Sequence, residues 1–379
     1  IAAPGTDTSR SKDGDTVTIT FTASEGIQTS PTCDMEFGSG ADATNAESIA
    51  NPSGNTWTCG VVTTDSEAEA AVVFSLGFTD SAGNAGVAVT ATTDGSSVTH
   101  DDTVPTLPTI VEATTGTGEA NDGDSVTLTI TASEAIVQPA CTFASGGDAM
   151  AGSPSYSGSG TSWTASITVA DGDTNGDVTF SCGYTDLAGI DGVADTTPNS
   201  GDIEVENTHP TVSTFAFSDT AMKTGDTPTL TLTFSEAVVG FASSADVSCP
   251  NGNLAAMSSA NGGVTWTGTF TPTADTEDDT NVCALATSYT DANGNTGPSA
   301  NTANYAVETQ APSVNSITMG DTAFKDGDTA TLTIVFSETV AGFASGDDVT
   351  CASGSLGAMS LQSGTTWTGT FTPTDDLDD

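Results

Sequence analysis

A thirteen-residue motif recurs four times along this chain, and it constrains the fold more than any other feature. The copies are Asp13-Gly-Asp-Thr-Val-Thr-Ile-Thr-Phe-Thr-Ala-Ser-Glu25, Asp122 to Glu134, Thr224 to Glu236 and Asp326 to Glu338. Each begins with an acidic turn, continues as Thr alternating with aliphatic residues, and closes on Ser-Glu. Alternation with a period of two describes a strand with one buried face. The starts are 109, 102 and 102 residues apart, which is the signature of a tandem array. The expected division is 1–103, 104–208, 209–310 and 311–379, the last incomplete and lacking its final strands. Because the chain also opens inside a linker-like stretch, it reads as a section of a longer protein.

Other markers keep the same period. An X-Pro pair opens each later unit (Val104-Pro105, His209-Pro210, Ala311-Pro312), and one Trp follows the Gly/Ser/Asn loop of every unit (Trp57, Trp163, Trp266, Trp367). Three units carry a strand ending in Thr-Asp at Asp80, Asp186 and Asp291, followed by a hairpin. About seven short strands per hundred residues, with turn signals between them and no helical period, predict an all-β, antiparallel β-sandwich for each unit. On this pattern the Trp side chains belong to the core.

Cysteines follow the period too. Cys33 with Cys59, Cys141 with Cys182 and Cys249 with Cys283 give one pair per unit, while Cys351 has no mate. No Cys-x-x-Cys occurs, so these are read as disulfides, which places the chain in an oxidising, extracellular setting. In the first unit Leu76 takes the place of Cys182 and Cys59 follows the Trp, so a different pair of strands should be bridged there.

The chain has 4 Lys and Arg against 50 Asp and Glu, a formal charge of −46. Phosphate backbones need basic side chains, which excludes nucleic acid as a partner. Anionic membrane surfaces would repel it, and no apolar run is long enough to insert directly into a bilayer. Such a charge attracts cations, divalent ones above all.

With its Asp-Gly-Asp turns, the run Phe234 to Ser243, Thr290-Asp-Ala-Asn-Gly-Asn295 and the Ala-Pro openings, the chain resembles the bacterial Ig-like repeats, and more loosely the cadherin-like repeats, of giant surface adhesins and extracellular filaments. The resemblance covers all four units. It implies a linear tandem array of Ig-like sandwiches in a structural, often calcium-stiffened, extracellular protein.

Strand direction places the acids. The Asp-Gly-Asp turn lies at the far end of its unit. Ser-Glu and Thr-Asp both lie at the near end, where the acidic linker from the preceding unit arrives. The first junction should therefore gather Asp13, Asp15, Asp101, Asp102, Glu134 and Asp186. The second should gather Asp122, Asp124, Glu204, Glu206, Glu236 and Asp291, and the third Asp226, Glu308 and Glu338. Calcium takes 6–8 oxygen ligands in irregular geometry and suits such a set as a structural Ca2+ ion. The plainer alternative is that Asp-Gly-Asp is a turn and each Glu a solvated strand end. Asp171 to Asp177 mimics the start of an EF-hand loop, but Cys182 stands where the loop needs Glu, so the match fails.

Catalysis finds no support: the two histidines, His100 and His209, lie in linkers, and no nucleophile or metalloprotease motif occurs. The expected role is mechanical, a stiff spacer or filament-building segment at a cell surface, with copies of itself or other filament and surface proteins as partners. The competing role is an adhesive module that binds glycans or a neighbouring cell. Exposed loop aromatics would mark it, with Phe143, Tyr156, Phe241 and Phe343 as the candidates.

Overall fold

A computed structural model describes residues 1–5, 7–38, 47–116, 119–325 and 327–374; Asp326, which opens the fourth motif, lies outside them. Apart from two four-residue helices, Ser243–Asp246 and Ser345–Asp348, the regular structure is β. The chain divides into two compact units. One is Ile1–His209 with the turn Asp291–Asn295; the other is Pro210–Thr290 with Thr296–Asp379.

In the first unit the second repeat shows the architecture most completely. One sheet has the order Ser155–Ser159, Ser162–Thr168, Ser125–Thr131, Thr109–Thr114, with the Thr-rich strand inside it. The facing sheet joins Asp148–Ala149, Ala140–Ser145, Gly176–Gly183 and Glu204–Val205. Both pair antiparallel throughout. Alternation sends Val126, Leu128 and Ile130 inward, where they are fully buried, while the intervening Thr residues face out. These aliphatics meet Phe143, Phe180, Cys182 and Ile110 between the sheets.

The first repeat repeats this plan with Thr16–Thr22, Thr56–Val62 and Ser48–Ser53 in one sheet and Thr32–Phe37 with Val72–Gly77 in the other. Within the second unit, Val212–Phe217, Thr229–Phe234 and Thr265–Pro272 form the corresponding sheet of the third repeat. Val314–Met319, Ala330–Phe336 and Thr366–Pro373 do so in the fourth.

The turn that opens each of the four motifs puts its glycine in the left-handed region, at φ +81° for Gly14, +89° for Gly123, +89° for Gly225 and +81° for Gly327. A Cβ is disfavoured at such a φ, so glycine recurs there for a backbone reason. The second Asp of each turn then accepts the amide three residues before it: Lys12 N to Asp15, Asn121 N to Asp124, Lys223 N to Asp226 and Lys325 N to Asp328, at 2.8–3.1 Å.

Three disulfides form, Cys33–Cys59, Cys141–Cys182 and Cys249–Cys283. Cys141 and Cys182 stand opposite each other on neighbouring strands of one sheet. In the first repeat Cys33 faces Leu76 instead, and its bond runs to Cys59 in the other sheet. Either staple restricts the unfolded chain by about 2–4 kcal/mol. The Trp side chains are half-buried rather than central. Trp163 and Trp266 pack on the edge of their cores and donate their indole N–H to Gly160 and Gly263.

Candidate metal centre

Among the described residues one set of three carboxylates has ligand atoms all within 4.8 Å of one another: Asp101, Glu134 and Asp186. Three separate segments deliver them. Asp101 follows Thr99–His100 in the connection into the second repeat. Glu134 lies three residues past Ser125–Thr131, and Asp186 three residues past Gly176–Gly183, the strand that contains Cys182.

Asp186 is 1% exposed and Asp101 8%. Asp186 Oδ1 accepts the amide of Ile190 at 2.8 Å, but Asp186 Oδ2 and Glu134 Oε1 are buried without a hydrogen-bond partner. Arg10 supplies a cation, its Nη1 2.8 Å from Asp101 Oδ2. Three carboxylates against one guanidinium leave excess negative charge in a site largely removed from water. Burial pushes the Glu134 carboxyl up, and Asp101 and Asp186 push it further. Asp186 is raised by burial first and then by Asp101, against the pull of the Ile190 amide. Both directions say that the charged forms lack compensation.

The remaining acids assigned to this junction lie beside the trio. Asp102 Oδ1 accepts the amide of Asp13 at 2.7 Å, and its Oδ2 is 2.9 Å from His100 Nε2. Lys12, Asp13 and Asp102 share a shallow cleft with Gly189, Ile190 and Asp191, and Lys12 Nζ donates to the Gly189 carbonyl. Asp15 is taken up by its own turn, as described above.

Of the second set, Glu204 stands opposite Asp177 across a strand pair, and that like charge raises it, with Glu119 adding to the effect. Asp122 is exposed, and Asp124 caps its turn and accepts Thr115 Oγ1. Glu206 and Asp291 are joined by an amide: Asn295 Nδ2 donates to Glu206 Oε2 at 2.7 Å and to Asp291 Oδ2 at 2.9 Å. Asn293 Nδ2 donates to Glu119 Oε2 at 3.1 Å. Glu236 lies in the second unit. Of the third set, Asp226 caps its turn and Glu308 accepts the amide of Gln310, while Glu338 is half-buried at the end of its strand. Those three do not meet as a cluster among the described residues.

Sequence reasoning missed Arg10, the bridging asparagines and Glu112. Glu112 is 4% exposed, and burial pushes its carboxyl up to about 7, although the Ile203 amide pulls the other way. Its signal was present: Glu112 shares its strand's inward parity with Ile110. The loop that mimics an EF-hand folds otherwise, with Asp173 accepting the amides of Ala151 and Ala170. No helix among the described residues is long and apolar enough to cross a membrane.

Three titin domains, I67–I69 in an E-to-A variant, align at 12% identity over 72% of this chain and 89% of theirs, with a TM-score of 0.37. Part of a 1.5-MDa bacterial ice-binding adhesin aligns at 17% identity over 80% and 95%, with a TM-score of 0.34. The four-domain ectodomain fragment of ICAM-5 aligns at 11% identity over 96% of each chain, with a TM-score of 0.28. No curated protein matches the sequence. The family model of the bacterial Ig-like domain matches twice in succession, over residues 206–307 and 308–379. The repeats are Ig-like β-sandwiches in tandem, and over residues 206–379 the chain is similar to the bacterial Ig-like domain family.

Proposed function

We propose that this chain is a structural segment of an extracellular cell-surface protein, a stiff spacer or filament-building unit in which calcium joins the first repeat to the second. The observation that carries the metal is Asp186 Oδ2, a carboxylate oxygen in a residue 1% exposed, unpartnered and grouped with Glu134 and Asp101. An all-oxygen donor set with excess negative charge suits a hard cation, and calcium tolerates its irregular geometry. Asp186 Oδ2, Glu134 and the Asp101 oxygen not held by Arg10 would be its protein ligands, with water completing the shell. The ion would supply the charge compensation that burial denies.

Tandem Ig-like units, three disulfides and the excess of acidic residues support the extracellular, mechanical role. The adhesive alternative loses its markers: Phe143 and Phe241 are 5% and 8% exposed, Tyr156 packs on the core, and Phe343 stacks edge-on with Trp367. Partners on this reading are copies of the chain or other surface proteins.

Calcium titrated into EDTA-treated protein tests the metal. With a Kd near 10⁻⁴ M, 10 mM calcium stabilises the first unit by about 2.7 kcal/mol. Asp186→Asn abolishes that gain. A melting profile indifferent to both calcium and EDTA overturns the assignment.

A further inference from the structure

In the second repeat a short strap, residues 199–203, lies against the strand Thr109–Thr114, which it meets in a parallel bridge of Ser200 with Val111. Its attachments to that strand are few. Asn199 N donates to Ile110 O at 2.8 Å, Ile110 N to Asn199 Oδ1 at 2.5 Å and Glu112 N to Ser200 O at 2.9 Å. At its far end Ile203 O accepts the amide of Val178 at 2.8 Å. Asn199, Ser200, Gly201 and Asp202 are exposed, so one layer of backbone separates what lies behind them from water. Gly201 makes the closest approach: at φ +94°, a Cβ there would fall 2.2 Å from the Glu112 carbonyl oxygen.

Behind the strap sits the Glu112 side chain, 4% exposed, with Oε1 buried and unpartnered. The fold does not ask for an acid at this position. Glu112 pairs with Leu128 as Phe217 pairs with Leu230 in the third repeat and Met319 with Leu332 in the fourth. Phe217 fills the place with an aromatic ring, packed on Phe270 and Tyr305. The second repeat alone of these three puts an ionisable group there.

Nothing nearby compensates a charge on it. The Ile203 amide favours the charged form, but burial outweighs it, and Asp202 on the strap adds repulsion. Thr109–Thr114, Ser125–Thr131 and Ala140–Ser145 carry no other charged residue, and Asp177 and Glu119 bear on Glu204. A buried carboxylate without donors is relieved by water, and water reaches it by the shortest route when the strap moves.

We propose that residues 199–203 form a pH-operated strap: ionisation of Glu112 lifts it from Thr109–Thr114 and admits water to the carboxylate, while the rest of the sandwich stays closed. With the strap shut, burial holds the Glu112 carboxyl up at about 7, whereas in water it returns towards its usual 4.5. The shut state is therefore fully favoured below about pH 4.5, and its advantage is lost as pH rises through 7. Because the strap runs straight into Glu204–Val205, lifting it puts slack into the chain just ahead of that strand. The device does not depend on calcium at Asp101, Glu134 and Asp186.

Amide exchange on the full chain at pH 5 and pH 8.5, expressed as protection so that the intrinsic rate cancels, tests this. Protection of the Asn199 and Glu112 amides should fall at least about tenfold at the higher pH, while Leu128 and Ile130 keep theirs. Glu112→Gln, which cannot ionise, should hold the strap equally at both values. Gly201→Ala, whose Cβ meets the Glu112 carbonyl, should lower protection of the same two amides already at pH 5. Four outcomes overturn the proposal: equal protection at both pH values in the parent, an equal fall in Glu112→Gln, an equal fall at Leu128 and Ile130, or full protection at pH 5 in Gly201→Ala.

Discussion

Two acidic corners of the first unit are built from the same hairpin, yet they neutralise their charge by different means. In both, an Asp ends the Thr-Asp strand and its Oδ1 accepts the amide four residues on: Asp186 from Ile190 at 2.8 Å, Asp291 from Asn295 at 2.9 Å. The difference lies in that fourth residue's side chain. Asn295 turns its amide onto Asp291 Oδ2 and Glu206 Oε2, whereas Ile190 has nothing to donate and Asp186 Oδ2 is left unpartnered. The first repeat supplies a control. There Asn84 Nδ2 reaches Asp80 Oδ2 at 2.7 Å, and this hydrogen bond, with the Asn84 amide, holds the Asp80 carboxyl below its usual range. Asp186, more deeply buried and without such a bond, is raised, by burial first and then by Asp101. One side chain decides whether the second carboxylate oxygen of a corner is partnered.

The contrast can be broken most severely from the satisfied side. Asn295→Ile removes the donor that Asp291 Oδ2 and Glu206 Oε2 share, in a site where Asp291 is 3% exposed, and the first unit should lose about 1–3 kcal/mol in denaturant unfolding. A loss near zero would mean that the amide bridge is incidental. Next in size, calcium should stabilise the parent protein by about 2.7 kcal/mol at a hundredfold excess over Kd. The Asn295→Ile variant should gain a second, additive response that the parent lacks.

Ile190→Asn should sharpen the comparison from the other side. Donation to Asp186 Oδ2 adds about 1 kcal/mol in EDTA and shrinks the calcium response, read as a smaller rise in melting temperature. Unchanged calcium dependence in that variant would show that Asp186 Oδ2 is not the determining atom.

The smallest effect is in pH. Asp186 and Glu134 have folded pKa values above their unfolded ones, so over that interval the folded state holds more protons. Without metal, stability should fall as pH rises from the unfolded values through the raised ones, then level off. Glu112, pushed to about 7, contributes in the same sense between pH 4.5 and 7, so the measurement belongs in a Glu112→Gln background. Saturating calcium should flatten what remains. A slope of the opposite sign would contradict the burial described for these groups.

Much of this arrangement was legible from particular residues. The alternation in Thr16–Thr22 and its copies places Val17, Val126 and Leu230 in cores. The shift of Cys182 to Leu76 foretells the different bridge from Cys33. Strand direction brings Glu134 and Asp186 to one end with Asp101. The same logic over-reached at Asp15, Asp124 and Asp226, because a carboxylate three residues from a free amide is captured locally before any distant group can use it. It passed over Asn84 and Asn295, although both occupy one place in the hairpin, since an amide next to an acid reads in sequence as turn composition.

By itself, then, the chain's order of residues determined the period and the sandwich, and it brought Glu134 and Asp186 to one end of the second repeat. These follow from local chemistry: a pleat with two faces, a glycine at positive φ, and an alternation that tolerates a single register. Which carboxylates would be compensated was decided only in three dimensions. Asp101, Glu134 and Asp186 come from segments up to 85 residues apart, and an orphaned oxygen exists only when burial excludes water and no donor from any segment reaches it.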